Sequence, residues 1–136
     1  MNLEPIKVLL IEDNKGDSAI ILGMLKKSEI AQFELTHTPR LKAGLSLLEN
    51  EKFDIILLDL GLPDSEGLGS FKTTLKKNPT TPIIILTGLA NEEIGIKAIK
   101  YGAQDYLVKG EFNGKLLVRA IQYAIERKKL EGLFIY

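Results

Sequence analysis

Three short apolar runs limit what this chain can fold into: Ile6–Ile11 (IKVLLI), Ile55–Leu58 within FDIILLDLGLPDSEG, and Ile83–Leu86 (IIIL). Each is shorter than a core helix and is bounded by turn residues or carboxylates, the mark of a strand buried on both faces. Such a strand needs a neighbour on each side and cover above and below. Two further segments, Phe33–Thr38 and Asp105–Val108, mix apolar and polar residues and suit the edges of the same sheet. Helical spacing follows each strand. It is read over Ser18–Lys27, from Pro39 through Leu48, over Glu66–Lys77, over Glu92–Tyr101, and over Phe112–Glu131. Pro39 fits a first helical turn. Gly67 and Gly69 weaken the third helix, and Gly102 stops the fourth.

Strand and helix therefore alternate five times without a hairpin signal. The expected fold is α/β, a flavodoxin-like doubly wound five-stranded parallel sheet of order 2-1-3-4-5 with five helices and right-handed crossovers. One domain over residues 1–131 accounts for this pattern, with 132–136 a C-terminal tail or the start of a linker. Its apolar end, Leu133-Phe134-Ile135-Tyr136, would pack back, pair with a second copy, or continue into a longer protein. No DNA-binding output module is recognised in the chain.

Composition excludes several functions. Eighteen basic residues balance eighteen acidic ones, so no charge excess favours nucleic acid or an anionic membrane. There is no cysteine, which removes disulfides, thiol catalysis and cysteine metal sites. No apolar stretch approaches bilayer-spanning length, and MNLEPIK lacks a signal-peptide core; a cytoplasmic location is the default expectation. His37, the one histidine, lies on an edge strand and reads as a surface residue rather than a phosphodonor.

The polar residues at the strand exits carry the chemistry. Strand one delivers Glu12 and Asp13, strand three Asp59, strand four Thr87 and strand five Lys109. From Asp13 onward they lie 46, 28 and 22 residues apart (13 to 59, 59 to 87, 87 to 109), so only the sheet can gather them. Open parallel sheets place ligands just past the carboxyl ends of their strands. Two carboxylates about 4 Å apart repel by roughly 4 kcal/mol at an effective dielectric near 20, so three of them call for a cation. Oxygen donors without histidine or cysteine point to a hard divalent ion such as Mg²⁺. A hydroxyl and an ammonium opposite would stabilise a phosphoryl group in transfer, and a carboxylate can itself be the nucleophile. Asp59, on a strand buried on both faces, is the best placed.

These residues, with LLDLGLP, Thr87-Gly88 and AIKYGAQDYLVK, give a sequence that resembles the receiver domain of two-component response regulators from near Pro5 to near Lys128. The resemblance implies that Asp59 is the phosphoacceptor and that Asp13 is the main side-chain ligand of Mg²⁺. Glu12 would act mostly through water, and Gly61 would give its carbonyl. Lys109 would pair with the phosphoryl group, Thr87 would move to it, and Tyr106 would reorient as the coupled switch. It implies a histidine kinase or phosphotransfer protein as donor and an output domain or protein as reader. Two copies would pair through helix four, strand five and helix five, or through the tail. Self-catalysed hydrolysis would reset the switch, with no external substrate turned over. The chain departs from the family pattern at Gly110, where a proline usually follows the lysine. A trans bond and a looser loop are expected there. The competing readings are a constitutive docking module that keeps the fold without the switch, and a small-ligand binder of flavodoxin type. The latter lacks a glycine-rich phosphate loop after strand one. Tyr106 also reads as an ordinary edge-strand aromatic.

Overall fold

The computed structural model describes residues 4–64 and 67–133. Strands β1 (Ile6–Ile11), β2 (Phe33–Thr38), β3 (Ile55–Asp59), β4 (Ile83–Thr87) and β5 (Asp105–Val108) alternate with helices α1 (Lys15–Lys26), α2 (Leu41–Asn50), α3 (Gly67–Lys77), α4 (Glu92–Lys100) and α5 (Gly114–Gly132). The strands form one sheet of order β2-β1-β3-β4-β5, every pair parallel, as the alternation predicts.

Side chains on a strand point to alternate faces, and the apolar runs therefore feed two cores. Val8, Leu10, Ile55, Leu57, Ile84 and Leu86 pack with Ile21 and Leu25 of α1 and Leu117 and Ile121 of α5. Leu9, Ile11, Ile56, Leu58, Ile83 and Ile85 pack on the other face with Leu41 of α2, Phe71 of α3 and Ala98 of α4. All of β3 and β4 is buried, while β2 is half open. Burying one such aliphatic side chain contributes about 1.5–3 kcal/mol. Among the described residues no helix is long and apolar enough to cross a membrane.

The helix boundaries differ from the sequence reading where caps decide them. Helix α1 starts at Lys15 rather than Ser18, because the Asn14 side chain accepts the Asp17 amide at 2.9 Å. Helix α5 starts at Gly114 rather than Phe112, with Asn113 accepting from the Leu116 amide at 2.8 Å. A single 3₁₀ turn, Leu89–Asn91, precedes α4. Glu66, the expected first residue of α3, and Phe134–Tyr136 of the tail lie outside the described residues.

Helix α2 starts at Leu41, so Pro39 lies two residues before the helix rather than in its first turn. Its N-cap residue, Arg40, makes no side-chain cap. The cap comes instead from Asp64, in the loop after β3, which accepts from the amides of Leu41 at 2.9 Å and Lys42 at 3.0 Å. Those amide bonds, that of Lys42 foremost, hold the Asp64 carboxyl below its usual range. Asp64→Ala is expected to cost about 1 kcal/mol in urea unfolding at neutral pH. Because the folded pKa is depressed, that stability is fully present above the ordinary value of 3.8 and is lost as pH falls through the lower folded value. The gap between the two proteins should therefore narrow in acid.

Candidate functional site

Register brings the strand exits together. Ile11 pairs with Leu58, so Glu12 emerges beside Asp59. Asp59 pairs with Leu86, and Thr87 with Val108, so Thr87 and Lys109 emerge next in line. The Lys109 amide donates to the Thr87 carbonyl at 2.8 Å and locks the last exit to its neighbour.

Glu12, Asp59 and Thr87 are buried, at 0%, 5% and 1% exposure, while Asp13 is exposed at the rim. Carboxylate oxygens of Glu12, Asp13 and Asp59 lie within 4.8 Å of one another. The Lys109 ammonium sits 2.6 Å from Glu12 Oε1, 3.2 Å from Asp59 Oδ1 and 3.1 Å from Asp17 Oδ2. The Gly61 amide donates to Asp59 Oδ1 at 3.2 Å, and the Asn14 amide to Glu12 Oε2 at 3.1 Å. Burial pushes the Glu12 carboxyl up to about 7, helped by Asp59 and opposed by the Lys109 ammonium. Burial pulls Lys109 the other way, but Glu12 and Asp59 more than reverse it and hold the ammonium charged well above the ordinary lysine range. One ammonium thus faces a cluster whose negative charge it does not balance. An all-oxygen donor set of this kind fits a hard divalent cation with open coordination positions.

Thr87 adds a second signal. Its buried hydroxyl has no hydrogen-bond partner among the described residues, a condition that costs about 1–3 kcal/mol. The site that contains it is suited to an incoming oxygen ligand.

Tyr106 lies on β5, the edge strand, half-buried. Its hydroxyl donates to Glu92 Oε1 at 3.0 Å, and that acceptor raises the phenol's pKa. Its ring fills the notch left by Gly95 of α4: a Cβ there would stand 2.9 Å from Tyr106 Cγ. The aromatic is therefore fastened to α4 at both ring and hydroxyl.

Gly110 has φ +84°, in the region that favours glycine. Proline, fixed near φ −65°, could not occupy this backbone, and the Lys109–Gly110 bond is trans. The loop is nonetheless tied, with the Glu111 amide on the Val108 carbonyl at 3.0 Å, and Lys109 reaches Asp59.

Two contacts escaped the sequence reading. Asp17, in the first turn of α1, reads as an ordinary carboxylate at a helix N-terminus, yet it grips Lys109. His37 is exposed, as expected, but its Nε2 lies 2.7 Å from the Glu12 carbonyl. A carbonyl only accepts, so Nε2 carries the proton. Beside Asp17 and Lys109 opens an apolar groove of about 240 Å³ lined by Ile20, Ile21, Met24 and Phe112.

Residues 8–122 match the family described as the response regulator receiver domain. Among curated proteins, the cell cycle response regulator CtrA of Brucella ovis is 36% identical over 124 residues, which is 91% of this chain and 52% of CtrA. CtrA of Brucella suis biovar 1 matches equally. The chain thus spans about half the length of the curated relatives it matches. Among solved structures, a response regulator receiver domain protein from Clostridium thermocellum is 31% identical with a TM-score of 0.76, covering 92% of this chain and 98% of its own. The receiver domain of the Francisella response regulator 1452 is 30% identical with a TM-score of 0.73, covering 91% and 98%.

Proposed function

Because this chain belongs to the response regulator receiver domain family, we propose that it is a phosphorylation switch of a two-component system with Asp59 as phosphoacceptor. The observation that carries this reading is Lys109, which contacts Asp59 and Glu12 together at the mouth of a buried acidic cluster. The donor is a histidine kinase or phosphotransfer protein, whose approach is favoured by the apolar groove beside Lys109. The reader is an output domain or protein.

A carboxylate oxygen of Asp59 attacks the donor's phosphorus. A new O–P bond forms, the N–P bond to the donor histidine breaks, and its electron pair stays on the imidazole. Asp13 and Asp59, with the Gly61 carbonyl and with Glu12 through water, are the residues that would hold Mg²⁺. When bound, that ion supplies charge neutralisation for the oxygens of the phosphoryl group. Lys109 supplies the remaining positive charge. The phosphoryl group brings roughly two negative charges. Lys109 is held within reach of them, and the unpartnered Thr87 hydroxyl donates to a phosphoryl oxygen. Movement of Thr87 loosens the packing beside Tyr106, whose ring then leaves Gly95 and Glu92. The surface of α4, β5 and α5 changes with it, and that surface is the one a second copy or another partner reads. Water resets the switch by attacking phosphorus, breaking the Asp59 O–P bond and releasing inorganic phosphate.

Lys109 is within ion-pair distance of Asp59 although glycine follows it, which favours a working switch over a docking module that has lost it. Incubation with acetyl phosphate and Mg²⁺ should raise the mass of the protein by one phosphoryl group, and EDTA should prevent the gain. An unmodified mass with Mg²⁺ present would sink the proposal.

A further inference from the structure

Asp17, the carboxylate that no sequence pattern nominated, shares the Lys109 ammonium with the acidic cluster. Lys109 pairs with Glu12, Asp17 and Asp59. Among the described residues Asp13 makes no such pair, and it shares the metal-competent cluster with the same Glu12 and Asp59. Two carboxylates are thus claimed from both sides, by an ammonium and by any divalent ion. Asp17 is the one partner of Lys109 that lies outside that cluster. It is fixed in place: its amide is bound by the Asn14 side chain, and its carboxylate, about one-third exposed, lies 3.1 Å from the ammonium.

We propose that Asp17 is a positioning residue that draws the Lys109 ammonium toward α1 and so leaves Glu12 and Asp59 open to a divalent cation. This rests on the switch reading only in naming Mg²⁺ as the cation. Without Asp17, the ammonium keeps just the two shared carboxylates, settles more firmly on them, and competes with the ion. A plain loss of negative charge near the site would weaken the ion in the same direction. The two causes separate through Lys109. An effect that runs through the ammonium vanishes when the ammonium is gone; a through-space charge effect does not.

The test is a double-mutant cycle on Asp17→Asn and Lys109→Met, read as Mg²⁺ affinity by calorimetry. Asp17→Asn should weaken Mg²⁺ by about fivefold, the scale of a partly exposed charge pair, and Asp17→Glu should recover most of it. In the Lys109→Met background, which should itself bind Mg²⁺ more tightly, Asp17→Asn should change nothing. With acetyl phosphate, Asp17→Asn should raise the Mg²⁺ concentration needed for half-maximal phosphorylation and leave the rate at saturating Mg²⁺ near that of the parent. Wild-type affinity in Asp17→Asn, or an equal loss in the presence and absence of Lys109, would overturn the proposal. Asp17→Ser reads the same loss should the asparagine variant fold poorly. A parent protein that binds Mg²⁺ yet gains no phosphoryl group would refute the switch while leaving the calorimetric cycle intact.

Discussion

The Asp59→Asn variant is expected to take up no phosphoryl group from acetyl phosphate while folding at least as well as the parent. The amide matches the carboxylate in shape and lacks its nucleophilic oxygen. It also removes one charge from a cluster in which burial and Asp59 already raise Glu12 to about 7. Lys109 retains Glu12 and Asp17 as partners. In the absence of divalent ions the variant should therefore be more stable, by about 1 kcal/mol, and should bind Mg²⁺ more weakly. Intact-protein mass spectrometry and thermal melting measure the two halves separately. Lost phosphorylation with a lower melting temperature would indicate damage to the fold. Undiminished uptake would move the acceptor to another residue, with exposed Asp13 the first to examine.

Lys109→Met carries the second large effect. The ammonium is the one cation within ion-pair distance of Glu12 and Asp59 among the described residues. Removing a partner from a buried pair leaves the other charge uncompensated and costs about 3 kcal/mol or more. For a domain of this size that is roughly a 10 °C fall in melting temperature without divalent ions. Mg²⁺ should restore much of it by mass action, since the vacated carboxylates then face no competing cation. Phosphoryl uptake should fall sharply even with Mg²⁺ saturating, because the charge opposing the transferred group is missing. An unchanged melting temperature would mean that the carboxylates are screened by water and that the 2.6 Å contact contributes little.

Much of this was legible in the residues. Runs such as IILL and IIIL cannot be half-exposed strands, and that alone forces a covered parallel sheet. With the strand order set, polar residues at strand exits must meet at one edge, and Glu12, Asp13, Asp59, Thr87 and Lys109 do. What escaped was decided by contacts that sequence spacing does not encode. Asp17 looks like any acid in a first helical turn until the fold sets Lys109 beside it. Asp64 caps a helix more than twenty residues upstream, so no local pattern around Leu41 reveals the cap. Gly110 reads as a missing proline. Its φ of +84° instead marks a different turn, one that delivers the lysine by another route.

The two cores have a mechanical consequence. Glu12 and Lys109 lead into α1 and α5, which line one face of the sheet, whereas Asp59 and Thr87 lead into α3 and α4 on the other. The ion pair from Lys109 to Asp59 is thus a tie rod between opposite sides of the molecule, anchored at the rim where the strands end. Any change in its tension loads both helical layers at once. A partner gripping either side could therefore sense, or bias, what happens at the rim without touching it.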